Sequence, residues 1–139
     1  MKRDYHEAGT ARVRQQWGAF QRVFTSRVAY AEVHAALAMK YREGGFSALA
    51  FRTTALAFDA EWPSYDQVLV DGTTLAHVRR LVRRHFLRGY DALHLSAAIW
   101  LREQIGPTLE FWVADARLAA AARRERLTVV NPESDRSRG

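Results

Sequence analysis

Three carboxylates interrupt apolar runs, where an ionised acid is costly unless something pairs with it. Glu32 lies in VAYAEVHAALA, Asp91 opens YDALHLSAAIWL, and Asp115 follows EFWVA and begins the run ARLAAAARRE. On helices, Glu32 would share a face with Val28, Ala29, Ala35 and Ala36, and Asp91 with Leu87, His94, Leu95 and Ala98. Each acid has a plain structural use: Glu32 could answer an arginine such as Arg27 or Arg88, and both aspartates could cap helices. As a set they suggest chemistry. Clustered carboxylates repel one another and persist when a divalent cation holds them. The chain has no Cys and no His pair at metal spacing, so the donors are oxygens and the expected cation is Mg2+ or Mn2+, not Zn2+. A hard cation held in this way by a basic protein points to phosphodiester hydrolysis, the metal activating water and offsetting charge on the phosphate.

The acids can meet only if the elements carrying them converge. Short β-like runs alternate with helical runs, which predicts an α/β domain with a mainly parallel sheet. Strands are expected at Arg22–Thr25, Gln67–Val70, Leu109–Val113 and Leu127–Val130. Helices are expected from Ser26 (as N-cap) to about Arg42, from Ser47 to about Glu61, from Thr73 or Thr74 through Arg84, from Tyr90 to about Gln104, and over Ala116–Glu125. The segment Lys2–Trp17 reads as a polar helix broken near Gly9. In such sheets the ligand site lies at the carboxyl ends of the strands, which is where Asp115 falls.

The 139 residues carry a formal net charge of +6, and all of the 21 basic residues except Lys2 and Lys40 are arginines, which suits bidentate contact with phosphate. An Ala- and Arg-rich base composition would explain the same count. Zero cysteines exclude disulfides and thiolate chemistry; with no membrane-length apolar run and no signal-like start, the expected compartment is the cytoplasm. One domain over 1–132 and a disordered tail over 133–139 are expected.

The segments bearing the acids resemble the PIN-domain family, in particular its VapC-type toxins. TSRVAYAEVHAAL (Thr25 to Leu37) is similar to the motif that places an acid at Glu32. LRGYDALHLSAAIWL (Leu87 to Leu101) is similar to the motif with an acid at Asp91, and FWVADARLAAAARRERLTVVNP (Phe111 to Pro132) to the one with an acid at Asp115. The resemblance implies a three-layer α/β/α fold and an Mg2+- or Mn2+-dependent endoribonuclease acting as the toxin of a toxin–antitoxin pair. It also implies RNA as substrate, a cognate antitoxin and a homodimer. Glu32, Asp91 and Asp115 would then be the catalytic metal ligands. The alternative is an inactive PIN-like module that binds RNA or an antitoxin-like protein. A phospho-accepting receiver is disfavoured, because no lone acceptor Asp is followed by the Thr/Ser and Lys switch residues.

Two departures accompany the resemblance. The family begins with an apolar strand ending in Asp, whereas KRDYHEAGTARVRQQW resembles only the helix that follows it. The first, central strand and its Asp are therefore expected to be absent, with Asp4 unable to replace that acid. Position 113 is Val where the family commonly has Thr or Ser. Further candidates are Ser26, as an N-cap or to orient water, and His94, packed or touching Asp91 or substrate. Arg79, Arg80, Arg83, Arg84 and Arg88 form a basic run for RNA or antitoxin. Tyr30, Trp62, Trp100 and Trp112 are expected to pack rather than to stack on bases.

Overall fold

Five strands form one sheet in the order β3-β2-β1-β4-β5. The structure, a computed structural model, describes residues 10–14 and 21–131, with side chains from 22 to 131. The tail at 133–139, Asp4 and most of the expected N-terminal helix lie outside these residues. Strands β2 (Gln21–Ser26), β3 (Asp66–Val68), β4 (Leu109–Trp112) and β5 (Thr128–Val130) fall where the apolar runs placed them. The β2–β3 and β4–β5 pairings are parallel.

Strand β1 (Thr10–Arg14) corrects two expectations. The middle of the sheet is not empty, and TARVR is not helical: β1 lies between β2 and β4 and runs antiparallel to both. The direction follows from the short connection over 15–20, since a parallel return needs a crossover of a dozen residues or more. Two otherwise bare strand edges outweigh the local preference for helix here.

Helices α1 (Val28–Arg42), α2 (Ala48–Glu61), α4 (Gly89–Ile105) and α5 (Ala116–Arg124) lie close to their expected spans. Ser47 caps α2 by accepting the Ala50 amide at 3.0 Å. Helix α3 is shorter than expected, covering Val78–His85 only. The reason is local: Asp71 Oδ1 accepts the amides of Thr73 and Thr74, and the Thr74 hydroxyl bonds the Leu69 carbonyl, so 71–77 forms turns instead.

Helix α4 is the centre of the molecule. Leu95, Ala98 and Ile99 pack with Phe111, Val113, Leu118 and Leu127, while Ala97 and Leu101 pack with Phe24, Val68 and Leu109. Its buried Ser96 donates to the Thr74 carbonyl at 2.6 Å and accepts the His77 amide at 3.1 Å, fastening the 71–77 turns to the core. A separate cluster of Val33, Leu37 and Phe58 joins α1 to α2. Tyr30 and Trp62 pack beside Phe58, Trp100 lies against the sheet, and the Trp112 indole N–H donates to Glu110. Tyr30, Trp62 and Trp100 therefore pack as expected, and Trp112 is held by its hydrogen bond.

Candidate active site

Asp91 is buried in the first turn of α4, and Leu87, His94, Leu95 and Ala98, which the helical spacing puts on its face, are buried as well. It is not the N-cap, a position held by Arg88, and its described partner is the Arg88 Nε at 3.7 Å. Burial pushes its carboxyl above the ordinary Asp value. Arg88 and His94 pull it down, but Asp115 and Glu32 add to the rise. Like charges from two other elements thus act on this one carboxylate.

Asp115 does cap α5: its Oδ1 accepts the Leu118 amide at 2.9 Å. The structural use and the convergence on Asp91 coexist, since a capping carboxylate keeps a second oxygen. Two residues earlier, Val113 is fully buried in the core.

Glu32 is placed differently from the helical-face reading. Ala35 and Ala36 are exposed, and α1 packs through Ala29, Val33 and Leu37, so Glu32 sits at the margin of that stripe. Its partner is neither Arg27 nor Arg88 but His94, whose Nε2 lies 2.5 Å from Oε1. His94 is one turn beyond Asp91 and buried, so α4 places one acid and orients another. That pairing was open to sequence reasoning only in part: the spacing sets His94 beside Asp91, but not against α1. Ser26 is not the N-cap of α1, a position held by Arg27, because it still belongs to β2; its hydroxyl nevertheless accepts the Val28 amide at 3.3 Å.

The basic run divides. Arg80 and Arg84 hold the Glu125 carboxylate at 2.9 and 3.3 Å, joined by His85 at 2.7 Å. Arg84 is therefore engaged in tying α3 to α5. Arg79 and Arg83 are exposed and have no partner among the described residues, and Arg88 stands over the Tyr90 ring at 5.5 Å. Sequence reasoning missed the next feature: Phe86 ends α3 in the left-handed region, at φ 54, with its side chain in solvent.

The donor chemistry of Glu32, Asp91 and Asp115, all oxygen, suits a hard cation. Among the described residues, however, no three His, Cys, Asp or Glu side chains stand close enough together to hold a metal ion. The described part of β1, TARVR, adds no acid.

Comparison with known proteins gives two relatives. Over 116 residues the chain is 31% identical to ribonuclease VapC45 of Mycobacterium tuberculosis (strain CDC 1551 / Oshkosh), covering 84% of this chain and 78% of the relative. It is equally similar, over the same shares, to ribonuclease VapC49 of Mycobacterium tuberculosis (strain ATCC 25618 / H37Rv). No family model matches the chain, and no solved structure matches it.

Proposed function

Since the chain belongs to the VapC-type PIN-domain family, we propose that it is a divalent-metal-dependent endoribonuclease, the toxin of a toxin–antitoxin pair acting in the cytoplasm. The observation that carries the reading is the placement of the acids: Asp91 is buried in the first turn of α4, Asp115 heads α5, and Glu32 of α1 is bonded to His94 one turn beyond Asp91, so that burial and both acids raise the proton affinity of Asp91. A buried carboxylate that feels the charge of two others is one whose ionisation a bound cation would favour. To hold Mg2+ or Mn2+, Asp91, Asp115 and Glu32 would have to draw closer together than they stand here; the cation would then supply a nucleophilic water and offset charge on the scissile phosphate. The chain's own contributions are positional. His94 fixes one oxygen of Glu32, the α5 cap fixes one oxygen of Asp115, and the α4 core fixes the Asp91 backbone. Arg79, Arg83 and Arg88 would meet RNA phosphates. A cognate antitoxin and a homodimer are part of the same reading, and sedimentation of the purified complex tests both.

A second reading, a non-cutting module that binds RNA or an antitoxin-like protein, is favoured by one observation: the central strand brings no acid at 10–14. Single-turnover RNA cleavage with Mg2+ and with EDTA separates the two, alongside thermal unfolding with and without Mg2+. The enzyme reading expects EDTA-sensitive cutting that Asp91→Asn lowers at least about 100-fold, and a Mg2+-dependent gain in melting temperature that the same variant loses. Cutting that survives Asp91→Asn would refute the assignment.

A further inference from the structure

We propose that Phe86 and Tyr90, at the two ends of the loop that leads into Asp91, form a stacking platform for a nucleobase of the bound RNA. This deepens the ribonuclease reading and rests on it.

Phe86 stands out for two independent reasons. At 78% exposure it is the most exposed large hydrophobic residue described. It also occupies the left-handed region, φ 54 and ψ 39, as the C-cap of α3. Glycine or asparagine is the ordinary residue at a left-handed helix end, and a bulky side chain there is a true outlier. A scattered exposed apolar residue needs no explanation. One that is held in a strained backbone, where glycine would serve folding better, points to use of the side chain.

The surroundings say what that use is. The Phe86 carbonyl accepts from Arg117 Nη2 at 3.2 Å, and Arg117 lies two residues after Asp115. The aromatic position is thus fastened to the helix that carries one acid. At the other end of the same loop, Tyr90 is 41% exposed and immediately precedes Asp91. Arg88 lies between them, its guanidinium 5.5 Å from the Tyr90 ring and its Nε 3.7 Å from Asp91 Oδ2. Exposed rings, a cation and a catalytic-type carboxylate within residues 86–91 match base, phosphate and scissile bond in turn. Base stacking on aromatic rings tolerates any sequence, and arginine adds its own attraction to ring and phosphate. Bases in an A-form duplex are already stacked on each other, and their faces are closed to such a platform.

The test measures fluorescence anisotropy of a labelled ten-nucleotide RNA in EDTA, so that binding is read without cutting. The same RNA annealed to its complement is the comparison. The full-length protein should bind the single strand more tightly than the duplex. Phe86→Gly should raise the melting temperature by relieving the left-handed strain, yet weaken single-strand binding about tenfold. Tyr90→Leu should weaken it similarly, Phe86→Leu should behave like Phe86→Gly in binding, and Phe86→Trp should restore binding. Leu49→Ser, on exposed α2, serves as the control for loss of an apolar side chain. If wild type binds and cuts RNA while Phe86→Gly and Tyr90→Leu bind as tightly as wild type, the platform is refuted and the ribonuclease reading stands. A wild-type preference for duplex refutes the platform as well. Variants with normal RNA affinity that no longer retain a co-expressed antitoxin would make this loop a protein contact, also refuting it. If wild type neither binds nor cuts any RNA, the ribonuclease reading fails and takes the platform with it.

Discussion

Asp91 meets opposing demands from folding and from chemistry. Burial, with Asp115 and Glu32 adding to it, makes its carboxyl bind a proton more tightly in the folded chain than in the unfolded one. The sign follows from linkage: the group favours folding below its unfolded value, and that contribution is lost as pH rises through the folded value. At neutral pH the ionised side chain therefore weakens the fold. Asp91→Asn should raise the thermal midpoint at pH 7 by a few degrees, the response to about 1 kcal/mol in a domain of this size. The gap from wild type should close as pH falls towards 4, while cleavage is lost. Calorimetry across that pH range checks it, and a variant less stable at pH 7 than wild type would contradict it. The position of Asp91 was legible because a lone acid in a run as apolar as YDALHLSAAIWL stands out. The partner of Glu32 was not, because α1 meets α4 only through the tertiary fold, with His94 and Glu32 62 residues apart.

Among the elements, α3 and α5 are joined by a cluster with the reverse pH dependence. Burial alone would push the Glu125 carboxyl up, but hydrogen bonds from His85 and Arg80 and the charges of Arg80 and Arg84 outweigh it, leaving the value lowered. A depressed carboxyl stabilises the fold above its unfolded value and loses that contribution as pH falls through the folded one. Glu125→Gln should cost roughly 1–3 kcal/mol at pH 7 by urea denaturation, with little difference from wild type near pH 3. Equal stability at pH 7 would show the cluster to be ornamental. The sequence made α2, α4 and α5 visible through their caps and apolar stripes. It favours a start for α3 at Thr73 or Thr74, because either threonine could cap a helix as well as form the turn in which Asp71 Oδ1 accepts both amides. The partner of Arg84 was equally illegible, since nothing in VRRLVRRH reveals that Glu125 lies opposite.

At the scale of the molecule, the sheet depends on β1. Four strands were legible as apolar runs; the fifth was not, because TARVR is polar and its strand character comes from the two neighbours that flank it. A proline inside a strand paired on both sides removes a ladder hydrogen bond whichever way the amide points. Val13→Pro should therefore destabilise the whole domain by roughly 3 kcal/mol or more, and lower amide-exchange protection in β2 and β4 together. Unchanged protection in both would place β1 outside the sheet. The same strand carries a liability for self-association. If it lifts away, β2 and β4 each present a bare inner edge, and the slot between them accepts the same five-residue strand from another copy just as well. Refolding at high protein concentration should then trap interlocked pairs that dissociate only on unfolding. Shortening the 15–20 connection should raise their share, because a strained hairpin turn is relieved when its two strands belong to different molecules.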